Sequence, residues 1–186
     1  FAVVICKETN KTIDEALADV DEAIDFLNFY AREEIKLPRT HAKCPFVVIA
    51  PWNFPLAIPC GMVAGPLVAG NAVILKSSSK SHYVAELFVD LMHESGVPKN
   101  VLIHVKGGGE LADKLLDDER IRGCVFTGST EVGGHILKKV GRRFGEVDGM
   151  RFPGKVIAET GGKNAIVVTA TADMDEAVEG TLKSAF

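Results

Sequence analysis

The sequence predicts an α/β fold, a Rossmann-like doubly wound parallel sheet with helices on both faces. Two observations carry that prediction. Short apolar runs, Phe46–Ala50, Ala72–Leu75, Val101–Val105, Cys124–Phe126 and Lys155–Ala158, alternate with helical stretches, and strands of continuous apolar character are those of a parallel sheet covered on both sides. Glycine, hydroxyl residues, lysine and glutamate collect where these runs end, the edge at which open α/β sheets bind ligands.

In chain order, the first helix is expected over 11–35, where Ile13, Ala16, Leu17, Val20, Ile24, Leu27 and Ala31 recur at spacings of three and four with acids between them. Leu37-Pro38-Arg39-Thr40 ends it. After the strand Phe46–Ala50 comes an apolar helix over Pro59–Ala69, then the strand Ala72–Leu75. Ser81–Ser95 is an amphipathic helix stopped by Gly96-Val97-Pro98. Val101–Val105 is a strand, Glu110–Leu116 a helix, Cys124–Phe126 a strand and Glu131–Val140 a helix. Gly141–Pro153, rich in glycine and charge, reads as a loop. Lys155–Ala158 and Ala165–Val168 read as strands, and Asp173–Phe186 as a helix with Asp173 as its N-cap.

The 186 residues suit one domain that buries its core without disulfides. Hydrophobic residues make up 47% and charged residues 25%, with a net charge of −4. That balance and the scattered basic residues argue against a nucleic-acid surface. Cys6, Cys44, Cys60 and Cys124 form no CxxC pair, so neither a metal site nor a disulfide framework is indicated, and reduced thiols in the cytoplasm are expected. No apolar run reaches the length of a membrane span. The apolar opening Phe1–Cys6 lacks the basic n-region of a signal peptide, and the chain reads as cut from a larger protein.

Five motifs sit at strand ends. In Ala50-Pro51-Trp52-Asn53-Phe54-Pro55, two prolines fix the backbone around an amide that can donate to an oxyanion. Lys76 ends a strand and leads into Ser77-Ser78-Ser79, which can cap the next helix or bind ribose hydroxyls or phosphate. Gly107-Gly108-Gly109 permit close backbone approach to a flat ring or a phosphate. In Phe126-Thr127-Gly128-Ser129-Thr130-Glu131-Val132-Gly133, a strand meets a helix whose free N–H groups and dipole suit a diphosphate, although a plain Ser129 cap also explains the serine. Ala158-Glu159-Thr160-Gly161-Gly162-Lys163-Asn164 mounts a carboxylate at a strand end before two glycines, as a general base would be mounted. Taken alone, Glu159 also fits an ordinary strand-end acid beside a turn.

Together and in this order, Pro51–Pro55, Lys76, Gly107–Gly109, Phe126–Gly133 and Glu159–Lys163 resemble the aldehyde dehydrogenase superfamily across nearly the whole chain. Lys76–Ser79, Ala158–Val168 and the ending Ser184-Ala185-Phe186 are most similar to the 1-pyrroline-5-carboxylate dehydrogenase branch. The resemblance implies that residues 1–186 are an NAD(P)-binding domain with the N-terminal helix 11–35. It also implies a reaction in which a cysteine thiolate would attack the aldehyde, Asn53 would help hold the oxyanion, hydride would pass to the nicotinamide, and Glu159 would activate the water that hydrolyses the thioester. Lys76 would bind the adenine-ribose hydroxyls, Gly107 and Gly109 would line the adenine side, and Gly128, Ser129 and Gly133 would form the cofactor loop. Ala50, Pro51, Trp52, Ser79, Phe126, Thr127, Val132, Thr160 and Gly161 complete the implied cofactor contacts. The implied cofactor is NAD, the substrate glutamate 5-semialdehyde and the parent a homo-oligomer.

The sequence departs from the family pattern in three places. The nucleophilic cysteine, which relatives carry just past a Ser-Ala-Phe, is absent, and its domain with it, so the chain alone should not turn over aldehyde. Ser79 stands where many relatives have a glutamate that excludes a 2′-phosphate, which admits NADP. The stretch Lys36–Lys43 is shorter than the hairpin that serves assembly in relatives. Other readings stay open: a non-catalytic nucleotide-binding or interaction module, an aldehyde dehydrogenase with another substrate, or a relative reducing acyl phosphates or acyl-coenzyme A. Asn53 and Glu159 weigh against the module, and Glu159 against the last.

Overall fold

In the computed structural model, residues 1–36, 44–147, 150–162 and 164–185 are described. They form, in order, α1 (Ala2–Thr9), α2 (Ile13–Lys36), β1 (Phe46–Ile49), α3 (Ala57–Val68), β2 (Val73–Lys76), α4 (His82–Glu94), β3 (Leu102–Val105), α5 (Gly109–Asp117), β4 (Gly123–Gly128), α6 (Thr130–Val140), β5 (Phe144–Val147), β6 (Met150–Pro153), β7 (Lys155–Thr160) and α7 (Met174–Ala185). The expected helix end at Leu37–Thr40, most of the Lys36–Lys43 stretch, Lys163 and Phe186 lie outside the described residues.

The predicted parallel sheet is present. Its five strands run in the order β3-β2-β1-β4-β7, every pair parallel. The chain winds outward from β1 to β3 and then returns to the other side of β1 with β4, so a topological switch point opens between β1 and β4. The register is level at the carboxyl edge. Ile49 pairs with Lys76 and with Phe126, Lys76 with Val105, and Phe126 with Ala158. One row therefore crosses all five strands, roughly 19 Å at the usual strand spacing.

Alternation along the strands splits the core in two. Val48, Leu75, Leu102 and Val125 pack with Ile5, Ala16, Val63, Val84 and Phe88 of α1 to α4. Val47, Ile49, Cys124 and Phe126 pack with Leu116, Ile136 and Val140 on the side of α5 and α6. All four β1 residues are buried, which explains the unbroken apolar run at the centre of the sheet. Each of the fully buried valines there contributes about 1.5–3 kcal/mol.

Four elements differ from the sequence reading. First, the stripe that α2 buries is not the large apolar one. Ile13, Leu17 and Ile24 are about half exposed, whereas Ala16, Asp19 and Ala23 are buried. Small residues let α2 approach α3 closely. Phe26 sits against Gly61, where an added Cβ would lie 2.9 Å from the ring, and Tyr30 sits against Gly65, where it would lie 3.2 Å away.

Second, the expected loop Gly141–Pro153 contains the antiparallel pair β5–β6, with Val147 opposite Met150. In sequence, Asp148 and Gly149, outside the described residues, stand between the two strands, a dipeptide favoured in two-residue hairpins that the loop reading did not use. Third, Ala165–Val168 is not a strand. Among the described residues no strand lies beside it to complete a ladder, and Val167 is 84% exposed. Fourth, the apolar opening Phe1–Cys6, to which the sequence assigned no element, is the helix α1 with Ile5 in the core.

The Asp173 cap is present, its carboxylate accepting from the backbone N–H of Asp175 (2.9 Å) and Glu176 (3.1 Å). Among the described residues, no helix is long and apolar enough to cross a membrane.

Candidate active site at the carboxyl edge of the sheet

Each motif leaves the row at its own strand. After β1, the Ala50 N–H donates to the Lys76 carbonyl at 3.2 Å, which fixes the start of the proline-bounded turn on the neighbouring strand. Trp52 is half exposed, with the Lys80 ammonium 4.9 Å above its ring. Asn53 is exposed, and its main-chain carbonyl accepts from Lys11 Nζ at 2.9 Å. Its side-chain amide makes no hydrogen bond among the described residues and is available to a ligand.

After β2, Lys76 is only 8% exposed. Burial pulls its ammonium below the usual lysine range, and Nζ donates to the Ser77 carbonyl at 3.2 Å. Buried Ser77 lies 2.8 Å from His104 Nε2 through its hydroxyl. Burial first, and then the Lys106 charge, hold the His104 imidazole below its usual value, so it is neutral at pH 7. Ser77, Ser78, Ser79, His82, Lys106 and Gly107 line a cleft of about 310 Å³. Ser79 is shared with a second cleft of about 660 Å³ that reaches Trp52, Lys80 and Glu8. The Glu8 carboxylate caps α4 beside both clefts, accepting from Tyr83 N–H at 2.8 Å and Val84 N–H at 2.9 Å.

The three glycines after β3 divide their roles. Gly107 makes room for the chain's own Leu111, 2.5 Å from where a Cβ would stand. Gly108 and Gly109 have no atom within 4 Å of that position and leave space for a ligand. After β4, the Ser129 hydroxyl caps α6 by accepting from Val132 N–H at 3.3 Å; its own proton remains to be donated to an anion. Gly133 lets α6 settle onto the sheet, since a Cβ there would lie 2.9 Å from Thr160 Cγ2 and 3.5 Å from the Phe126 ring.

At β7, Glu159 and Thr160 follow the paired row and face opposite sides of the sheet. Thr160 packs toward α6. Glu159 pairs with Thr127 in register, and both line a groove of about 470 Å³ with Ile58, Gly61 and Met62 of α3. Thr127 Oγ1 also donates to Met62 Sδ at 3.5 Å. Gly161 has open space around it.

The row thus brings all five motifs to one edge, but not into one concavity. Glu159 and Thr127 share the α3-side groove, Ser79 and Gly107 the cleft beside α4, and Phe126, Gly133 and Thr160 the α6 side. No cysteine joins them. Cys60 and Cys124 are buried, and burial pushes both thiols up to about 12, so they stay protonated and unreactive. Among the described residues, no group of three or more His, Cys, Asp and Glu could hold a metal ion.

Sequence reasoning missed Glu8, Lys11, Asp19 and His104. The one local signal was Asp19, an acid spaced three and four residues from Ala16 and Ala23 on the buried stripe of α2. The other three reach the site through contacts across 75, 42 and 27 residues, which leave no local pattern.

The whole chain, residues 1–186, matches the family described as the aldehyde dehydrogenase family. It is 40% identical over 187 residues to the bifunctional protein PutA of Klebsiella aerogenes, covering 98% of this chain and 14% of that protein. It is 38% identical over 202 residues to a 1-pyrroline-5-carboxylate dehydrogenase of Bacillus mycoides, covering 100% of this chain and 39% of that protein. A crystal structure of 1-pyrroline-5-carboxylate dehydrogenase from Thermus with bound NAD superimposes with a TM-score of 0.85 at 37% identity, covering 99% of this chain and 38% of that one. The chain therefore spans well under half the length of each of these relatives.

Proposed function

Because this chain belongs to the aldehyde dehydrogenase family, we propose that it is the NAD(P)-binding part of an enzyme that oxidises glutamate 5-semialdehyde (1-pyrroline-5-carboxylate) to glutamate. One observation carries the reading: the level register that sets Lys76, the Asn53 turn, the cap of α6 and Glu159 along a single ligand-facing edge. The substrate assignment draws on the two relatives named for that chemistry.

The residues fit a dinucleotide. Lys76 presents a mostly buried cation at the strand end, next to hydroxyls and a cleft, and would hold the ribose hydroxyls. The first turn of α6, with the Ser129 hydroxyl, offers donors and a positive dipole end to the diphosphate. The open space at Gly108 and Gly109 suits the adenine side. When bound, the cofactor supplies the hydride acceptor. The chain's own groups do the rest: the Asn53 amide donates to the oxyanion formed when the aldehyde carbonyl is attacked, and Glu159 takes a proton from the water that releases the acid product. The attacking thiol would come from a part of the parent outside these residues, because Cys60 and Cys124 are buried and protonated, Cys6 lies on α1, and Cys44 precedes β1 at the opposite edge of the sheet. On this reading the chain alone does not turn over aldehyde.

The test is an assay of the full-length protein with NAD and glutamate 5-semialdehyde. Cofactor reduction at the usual enzymic rate of about 1–1000 per second is expected, with slower turnover of aldehydes lacking the carboxylate. Enzymic rates from residues 1–186 alone would overturn the division of labour. A pure nucleotide-binding module would need neither an exposed Asn53 nor Glu159 in a groove.

Cofactor choice gives a second expectation. Ser79 is small and lines both clefts that follow β2, which leaves room for a 2′-phosphate, and the Lys106 ammonium, paired with Glu86 at 2.7 Å, lines the smaller one. Ser79→Glu in the full-length protein is expected to reduce kcat/KM with NADP about tenfold or more while changing that with NAD less, since a like charge is then placed against the phosphate. Equal losses with both cofactors would remove Ser79 from cofactor selection.

A further inference from the structure

Asn53 lies on a connection between β1 and α3, and such connections are mobile unless tied down. The flanking prolines restrict residues 51 and 55, and Pro55 also restricts Phe54 before it, but the torsions of Trp52 and Asn53 themselves are not fixed by a ring. An oxyanion donor must nevertheless be held in place before the reaction to be worth much. The tie comes from far away in sequence. Lys11, in the corner between α1 and α2, donates through Nζ to the Asn53 carbonyl at 2.9 Å, and the same ammonium stands 3.9 Å from the centre of the Phe54 ring.

Lys11 is itself held. Its Nζ lies 3.6 Å from Asp19 Oδ2. Asp19 is completely buried on the packing stripe of α2, and its Oδ1 accepts from the Ala57 N–H at 2.7 Å, at the first residue of α3. One buried carboxylate therefore fixes the start of α3 and, through Lys11, the peptide of Asn53. The bonds take up the main chain at both ends of 53–57, and the exposed Asn53 side chain takes no part in them. A buried acid is costly unless it is paired, and this one sits among alanines that do the packing, so packing alone gives no reason for it.

We propose that Lys11, anchored by Asp19, is the positioning residue for the Asn53 oxyanion donor. The inference rests on the reading of Asn53 given above.

The test uses the full-length protein and the variants Lys11→Met, Lys11→Arg, Asn53→Ala and the double variant Lys11→Met/Asn53→Ala. Lys11→Met is expected to slow first-turnover cofactor reduction by up to about 100-fold, the scale of a small misplacement of a catalytic group. The dissociation constant for NAD, measured by calorimetry, should stay close to that of the parent, while the melting midpoint should fall in Lys11→Met, because buried Asp19 loses its counter-charge, and recover in Lys11→Arg. Lys11→Arg should recover most of the rate, and the double variant should be no slower than Asn53→Ala, because the two act as one unit. Losses that multiply, or an NAD affinity that falls in parallel with the rate, would overturn the proposal.

Hydrogen exchange of the peptide covering residues 50–57 gives a readout independent of the substrate. Lys11→Met should speed it about tenfold or more while exchange in β1 and β2 stays slow. If aldehyde oxidation fails altogether but this exchange still rises, the functional reading falls and the clamp stands. Unchanged exchange removes the clamp.

Discussion

Glu159→Gln in the full-length protein is expected to give one equivalent of reduced cofactor per site at close to the parent rate and then to turn over about 10²–10⁴-fold more slowly, the usual contribution of general base catalysis. The reasoning starts from where β7 leaves Glu159. It follows the last residue of the paired row, stands opposite Thr127, and opens into the groove beside α3 rather than toward the α6 side. Gln preserves the size and the strand geometry and removes only the proton acceptor. With the proposed role of Glu159, the variant should still form the acyl intermediate and release it slowly. A rapid-mixing experiment separates the two phases. Loss of the first-turnover burst would instead make Glu159 the activator of the nucleophile.

Asn53→Ala acts on the other half of the reaction. Here the first turnover and the steady state should fall together, by about 10²–10³-fold, the cost of removing one oxyanion donor. The affinity for NAD should be unchanged, because Asn53 stands on the turn after β1 whereas the subsites proposed for the ribose and diphosphate are at β2 and α6. The two variants therefore differ in kind: one leaves the burst and the other removes it. If both remove it, the two residues do not act in separate steps.

Much of this site was legible before any coordinates. The apolar runs located all five strands of the sheet: central β1 is buried on both faces and apolar throughout, and β7 carries Val156 and Ile157 although most of it is exposed. The turn chemistry at their ends gave the motifs, because glycine, proline and capping hydroxyls answer local backbone demands. The Ser129 and Asp173 caps were correct for the same reason. What failed depended on neighbours. Ala165–Val168 had the composition of a strand but no adjacent strand. The large apolar residues of α2 recurred at helical spacing, yet the helix turned Ala16, Asp19 and Ala23 inward, where Gly61 and Gly65 of α3 accept Phe26 and Tyr30 at close range.

The sequence by itself thus determined the fold class and the strand-end motifs, since those follow from periodicity and from turn residues within a few positions of each other, and the resemblance of those motifs in their order pointed to the family. Only the tertiary structure decided how that edge is held. Glu8 reaches Tyr83 across 75 residues, Lys11 reaches Asn53 across 42 and Asp19 reaches Ala57 across 38. Contacts of that range depend on how α1 and α2 lie against α3 and α4, and packing between distant elements leaves no repeat in the sequence from which it can be read.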